Sequence, residues 1–206
     1  MKEENMNKRK LKAIKTKEKI YNAAKHLVME HGIDNVSVDS IVKAAGVSKG
    51  AFYVHFESKD SLVATLVEDY TNIADIDYKS FLETLSEHDS IFEVLMLFAE
   101  EIADFIEHNI GVDNMSVLYK AHLTKTVDTT SAISYKRELY NLFKEILEKG
   151  VSQGELREDI PIELLTKHLI ISFRGLVFEW CVRYPDFNLK KEVLTHYKIL
   201  LDGLFS

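Results

Sequence analysis

A single cysteine, Cys181, among 206 residues excludes an intrachain disulfide and a cysteine-rich metal site. Proline is nearly as scarce, with only Pro161 and Pro185, so long stretches of the chain are free to be helical. No apolar run approaches the roughly 20 residues that cross a bilayer. The basic start of the chain also lacks the apolar segment and small-residue cleavage site of a secretory signal. A cytoplasmic protein with no membrane partner is therefore expected. Gly-rich phosphate loops, a His-Glu-x-x-His zinc pair and a Gly-x-Ser-x-Gly nucleophile elbow are all missing. The eight histidines are scattered without clustered ligands, so no catalytic residue, no metal and no cofactor is expected. An enzyme is the disfavoured class.

What the chain does have is apolar residues at helical spacing throughout, 46% hydrophobic overall, with no βαβ alternation and no internal repeat. The pattern predicts an all-α protein. A first helix is expected from about Thr16 to His31, with Ile20, Ala23, Ala24, Leu27 and Val28 on one face and Gly32 after its end. Residues 37 to 62 then spell two short helices around a tight turn. Ser37 is a good N-cap and Asp39 complements the helix dipole behind it. Val38, Ile41, Val42 and Ala45 form a narrow apolar face, and Gly46 supplies the left-handed residue a sharp turn needs. Ser48 caps the next helix, which Phe52 and Phe56 anchor from one side, leaving Lys49, Gly50, Tyr53 and His55 nearer the outside. Ser58 and Asp60 open a fourth helix through Leu62, Leu66 and Val67. Further helices are expected at about 90 to 108, 114 to 125, 130 to 149, 161 to 183 and 189 to 205, punctuated by Gly111, Gly150, Gly154, Pro161 and Pro185.

Two helices joined by a glycine turn are the architecture of a DNA reader. The run Val-Ser-Lys-Gly-Ala-Phe-Tyr-Val-His-Phe-Glu-Ser-Lys-Asp-Ser-Leu, residues 47 to 62, closely resembles the DNA-binding signature of the tetracycline-repressor-like (TetR) family. Motif-level resemblance covers about residues 14 to 62. Val54 stands where many members carry a second aromatic residue, and Glu57 where a basic or neutral one is commoner. The resemblance implies a basic N-terminal tail over residues 1 to 13, a helix-turn-helix domain over 14 to 61 and a helical effector-binding and dimerisation domain over 62 to 206. It further implies that Ser37, Ser48, Tyr53, His55 and Lys59 meet phosphates, while Lys49, Gly50 and Ala51 approach base edges. Ser37 and Ser48 could instead serve only as caps.

The net charge of −7 fits double-stranded DNA as a partner once it is divided along the chain. Residues 1 to 62 hold 12 Lys or Arg against 8 Asp or Glu, net +4, which leaves 14 against 25, net −11, for residues 63 to 206. The basic excess is concentrated in Lys8, Arg9, Lys10, Lys12, Lys15, Lys17 and Lys19.

The last two helices carry more apolar residues than one buried face needs. Family resemblance implies that they pack against a second copy, with Leu169, Phe173, Leu176, Val177, Trp180, Leu194, Tyr197 and Leu201 at the homodimer interface. The alternative is that they are central helices of a monomer. A dimer suits a palindromic operator whose half-sites are spaced by about one helical turn or a multiple of it. The resemblance also implies an unidentified small-molecule effector that loosens DNA binding. Candidate lining residues are Phe98, Phe105, Met115, Tyr119, His122, Phe143, Arg174 and Phe178, and Asn114 and Glu179 are further polar candidates. Repression is the expected outcome, with activation, or control by a protein partner, as the alternatives.

Overall fold

The computed structural model describes residues 2–86 and 89–204, with side chains from Arg9 onward. His88, Phe205 and the side chain of Lys8 lie outside the described residues. Among those described, the fold is all-α, with α1 (Lys2–His31), α2 (Val38–Ala45), α3 (Lys49–His55), α4 (Lys59–Leu82), α5 (Ile91–Phe105), α6 (Val112–Thr124), α7 (Thr130–Ile133), α8 (Glu138–Ser152), α9 (Ile162–Arg183) and α10 (Leu189–Asp202).

Contacts divide the chain into two units, one reaching to Asp69 and including Val117–Thr129, the other formed by Tyr70–Ser116 and the chain from Thr130 on. The first unit has one core. Ile20, Ala24 and Val28 of α1 meet Ile41 of α2, Phe52 of α3 and Leu62 and Leu66 of α4. The local signals act as their chemistry dictates. Ser37 and Ser48 accept hydrogen bonds from the amides of Ser40 and Ala51 at 3.1 and 3.2 Å, and Gly46 turns the chain with φ 65°. Ser58 and Ser61 cap α4 reciprocally. Residues 117–129 add a smaller apolar cluster in which Ala121 and Val127 pack with Val63. There the Lys120 ammonium meets Asp34 at 2.7 Å and the His122 ring pairs with the Thr129 hydroxyl at 2.6 Å.

In the second unit α5, α8, α9 and α10 pack on one another. Its centre is a chain of rings running Phe105, Tyr78, Phe98, Phe143, Tyr197 and Phe173, with successive centroids 4.9 to 6.5 Å apart. Burial pushes the Tyr78 and Tyr197 hydroxyls up in pKa, and the Tyr197 hydroxyl donates to the Leu169 carbonyl at 2.9 Å.

Three local expectations change. Helix α1 begins at Lys2 instead of near Thr16, since nothing in the Lys-rich stretch before Thr16 forbids helix. The helix expected over 130 to 149 is broken into α7 and α8 at Ser134, whose hydroxyl accepts from the Lys136 amide at 3.0 Å and whose carbonyl accepts from the Arg137 amide at 3.3 Å, closing a turn in place of helical bonds. Gly150 lies inside α8 instead of ending it. A Cβ there would stand 2.6 Å from Leu156 Cδ1 and 2.9 Å from Ile91 Cγ2, so only glycine permits this approach.

Asp75 acts across the second unit as the missing cap of α8. Arg137, just before that helix, has no capping side chain, and the Asp75 carboxylate takes its Nε–H at 2.7 Å together with the amides of Glu138 and Leu139. Burial raises the Asp75 pKa, and the Arg137 guanidinium opposes that rise. Replacing Arg137 with Met should therefore cost about 3 kcal/mol, the scale for stranding one partner of a buried pair, measured by urea denaturation at neutral pH. The stranded carboxyl's pKa should climb further above its unfolded value. The folded state then binds the extra proton, so the deficit should shrink as pH falls through that window and be fully present above it.

Candidate nucleic-acid interface

Helix α3 has only seven residues, too few to persist alone, so its orientation is set by what it buries. Phe52 is fully buried and Phe56, just past the helix, nearly so, with their rings 5.8 Å apart. That assigns the other side of the helix to solvent. Lys49, Gly50, Tyr53 and Val54 are exposed there, and Ala51 and His55 lie half-buried at its margins. Tyr53 sets its ring edge-on to Phe52 at 5.3 Å, so its hydroxyl stands on a braced base. The exposed cationic residues Arg9, Lys10, Lys12, Lys15, Lys17 and Lys19 belong to α1 of the same unit, and Lys17 lies over the Phe56 ring.

The sequence-predicted contact residues therefore all fall in one small unit, but in different states. Ser37 and Ser48 are exposed caps whose oxygens are engaged with helix amides while their hydroxyls remain on the surface. Lys59 is partly buried and donates to the Ile33 carbonyl at 3.1 Å, which ties the start of α4 to the turn after α1. Lys49 is not a free cation either. Its ammonium lies 2.9 Å from Asp39 Oδ1 and 3.2 Å from Oδ2, and the hydrogen bond to that carboxylate raises its pKa above the usual lysine value.

Two residues on this face escaped the sequence argument. Val54 is 78% exposed, a bare aliphatic side chain one turn after Gly50. Asp39 was legible only as a helix-dipole residue, although its place at the head of α2 turns its carboxylate toward the first residue of α3. The helical spacing of 50 and 54 could have found the first. Nothing local could have found the second.

The residues expected to line an effector cavity are divided between the two units. Phe98, Phe105, Met115 and Phe143 are buried in the second unit, and Phe98 and Phe143 are packed ring to ring. Tyr119 and His122 belong to the first unit. Arg174 stacks on Tyr135 and donates to the Ile133 carbonyl at 3.0 Å, while Phe178 is exposed. The side chains expected between two copies are mostly buried within one copy. Leu169, Phe173, Val177, Trp180, Tyr197 and Leu201 are buried in the unit's own core, and Leu176 and Leu194 are half-buried. The outward apolar residues are Leu164, Ile171, Phe178 and Val182 of α9 and Ile199 of α10.

Among the described residues, Asp104, Glu107 and His108 bring one potential ligand atom each within 4.8 Å. The Lys190 ammonium already sits 2.9 Å from Asp104 and 2.6 Å from Glu100, so a cation of the protein itself neutralises this acidic group.

Residues 20–66, the stretch that builds this head, match the family model described as bacterial regulatory proteins, tetR family. The HTH-type transcriptional repressor KstR2 of Rhodococcus jostii is 26% identical over 187 residues, 91% of this chain and 90% of that protein. The HTH-type transcriptional regulator AcrR of Shigella flexneri is 25% identical over 209 residues, 95% of this chain and 92% of its own. In fold, the chain is similar to Thermus thermophilus FadR, a TetR-family transcriptional repressor solved in complex with lauroyl-CoA. The TM-score is 0.68 and the identity 23%, covering 91% of this chain and 94% of that one. Residues 20–66 thus carry the DNA-binding domain described for the tetR family of bacterial regulatory proteins, and the chain is a TetR-like DNA-binding transcriptional regulator.

Proposed function

We propose that this protein is a homodimeric repressor of a palindromic operator, released when a small molecule binds in its second unit. The observation that carries the DNA side is the partition of α3. One face is spent on Phe52 and Phe56, and the other presents Lys49, Gly50, Tyr53 and Val54 beside the basic flank of α1. Such a helix enters a major groove while hydroxyls, helix-terminal amides and lysines hold the phosphates on either side. Ser37, Ser48, Tyr53, His55 and Lys59 take the phosphate role in this reading, and Lys49, Gly50 and Ala51 the base edges.

The second copy docks on the outward row of α9. Leu164, Ile171, Phe178 and Val182 recur at helical spacing along an exposed face, with Ile199 of α10 a further exposed apolar residue. Surface of that kind marks an interaction site. An effector role is supported by relatives of this fold, one of them solved with lauroyl-CoA. It is also supported by Asn114 of the second unit, whose buried Oδ1 accepts no hydrogen bond from the described residues. A ligand donor would relieve that deficit. The ligand acts by population shift, weakening operator binding by the ratio of its affinities for the two conformations.

The double variant Tyr53→Ala, Lys59→Ala should bind every DNA sequence more weakly while remaining folded; operator affinity equal to that of the wild type, by fluorescence anisotropy, would sink the assignment. Ser48→Asp keeps a capping oxygen but brings a negative charge to the phosphates. Its thermal stability should stay within about 1 kcal/mol of the parent, and its DNA affinity should fall at least tenfold. Ile171→Asp with Phe178→Asp should turn a dimer into a monomer in sedimentation analysis. The reading of α9 as the dimer face fails if that variant still sediments as a dimer.

A further inference from the structure

The pair between Asp39 and Lys49 is difficult to explain as a device for stability. Both side chains are largely exposed, 76% and 54%, and an ion pair in that setting contributes about 0 to 1 kcal/mol. As a device for general DNA affinity it is worse than neutral, because it sets a carboxylate on a face that meets a polyanion and neutralises the lysine best placed to enter the groove. Asp39 is the only acidic residue between Ser37 and Phe56. Its position at the head of α2, against the first residue of α3, puts donor and acceptor side by side where the helix meets base edges.

The major groove is where an acceptor becomes useful. Guanine presents O6 and N7 as acceptors and cytosine presents its N4 amine as a donor. Guanine O6 and cytosine N4 are hydrogen-bonded to each other across the base pair, so they lie one hydrogen-bond length apart, about 2.9 Å. That matches the 2.9 Å between the Lys49 ammonium and the nearer Asp39 oxygen. We propose that Asp39 and Lys49 read one G·C pair in each half-site as a unit, Lys49 donating to guanine O6 and N7 and Asp39 accepting from cytosine N4. This rests on the DNA-binding role proposed above. An A·T pair also sets an amine beside a carbonyl, but there the ammonium would face thymine O4 alone, with the C5-methyl group alongside and no second acceptor. Guanine offers two acceptors to one ammonium. Asp39 further rejects the reversed pair, because its carboxylate would then meet guanine O6, acceptor against acceptor. The ion pair therefore gives up affinity for phosphate and gains discrimination.

Selection of bound DNA from a random pool, using the full-length dimer and its Asp39→Ala and Asp39→Asn variants, tests the pair. Thermal melting confirms that the variants are folded. The wild type should enrich G·C in one orientation at one position of each half-site. Asp39→Ala should lose roughly tenfold or more of the discrimination at that position alone, the scale of one good base contact. Its binding to unrelated DNA should tighten, with a salt slope steeper by about one, as expected for a lysine released to a phosphate. On the unaltered protein, 7-deazaguanine at the enriched position should weaken binding about fivefold, since it deletes one acceptor of the lysine. An unchanged preference at every position in Asp39→Ala, with only a uniform gain in affinity, would overturn the proposal and leave Asp39 as a brake on lysine charge. Enrichment of A·T where Asp39→Ala loses discrimination would overturn the choice of base pair. A wild type that selects no sequence at all would overturn the DNA-binding role and this inference together.

Discussion

Everything that the first unit can do depends on the burial of Phe52. A seven-residue helix has no independent stability, because the cost of nucleating its first turn is not recovered over so short a length. Phe52 fixes α3 against the apolar faces of α1 and α2, and Phe56 extends the same contact into the turn before α4. Two rings thereby decide which residues face outward. A chain in which Phe52 were polar would still carry Lys49, Tyr53 and Val54, but no surface that presents them together.

The second unit meets a different constraint. Its aromatic centre is continuous, and the end of α8 that starts in this environment has no capping side chain of its own. Asp75, more than sixty residues earlier, supplies the cap through α4. A buried carboxylate is tolerable there because one guanidinium and two amides share its charge.

How much was legible follows from the range of each interaction. The reader was legible because its determinants are local: a serine cap acts three residues ahead, a left-handed glycine acts where it stands, and Phe52 and Phe56 share a face by spacing alone. The all-α class was legible for the same reason. Helices α9 and α10 were recognisable as having more apolar surface than one face could bury, yet periodicity cannot say which of two stripes turns inward. Leu169 and Phe173 went to the core and Ile171 and Phe178 to the surface, a choice made by packing against α8 and α10. The second half of α6, with Tyr119 and His122, groups with the first unit, a long-range fact absent from any local window. The pairing of Lys49 with Asp39 spans ten residues and depends on the angle between two helices, so spacing alone does not reveal it.

The division of α3 into a buried and an exposed face also bears on how such a regulator changes its target. Asp39 and Lys49 are both exposed, and substitutions at exposed positions usually shift stability by no more than about 0.5 kcal/mol. The side chains that would choose the DNA are thus separate from those that hold the helix in place. A lineage can exchange the former freely, testing one operator after another, while the scaffold beneath remains as stable as before.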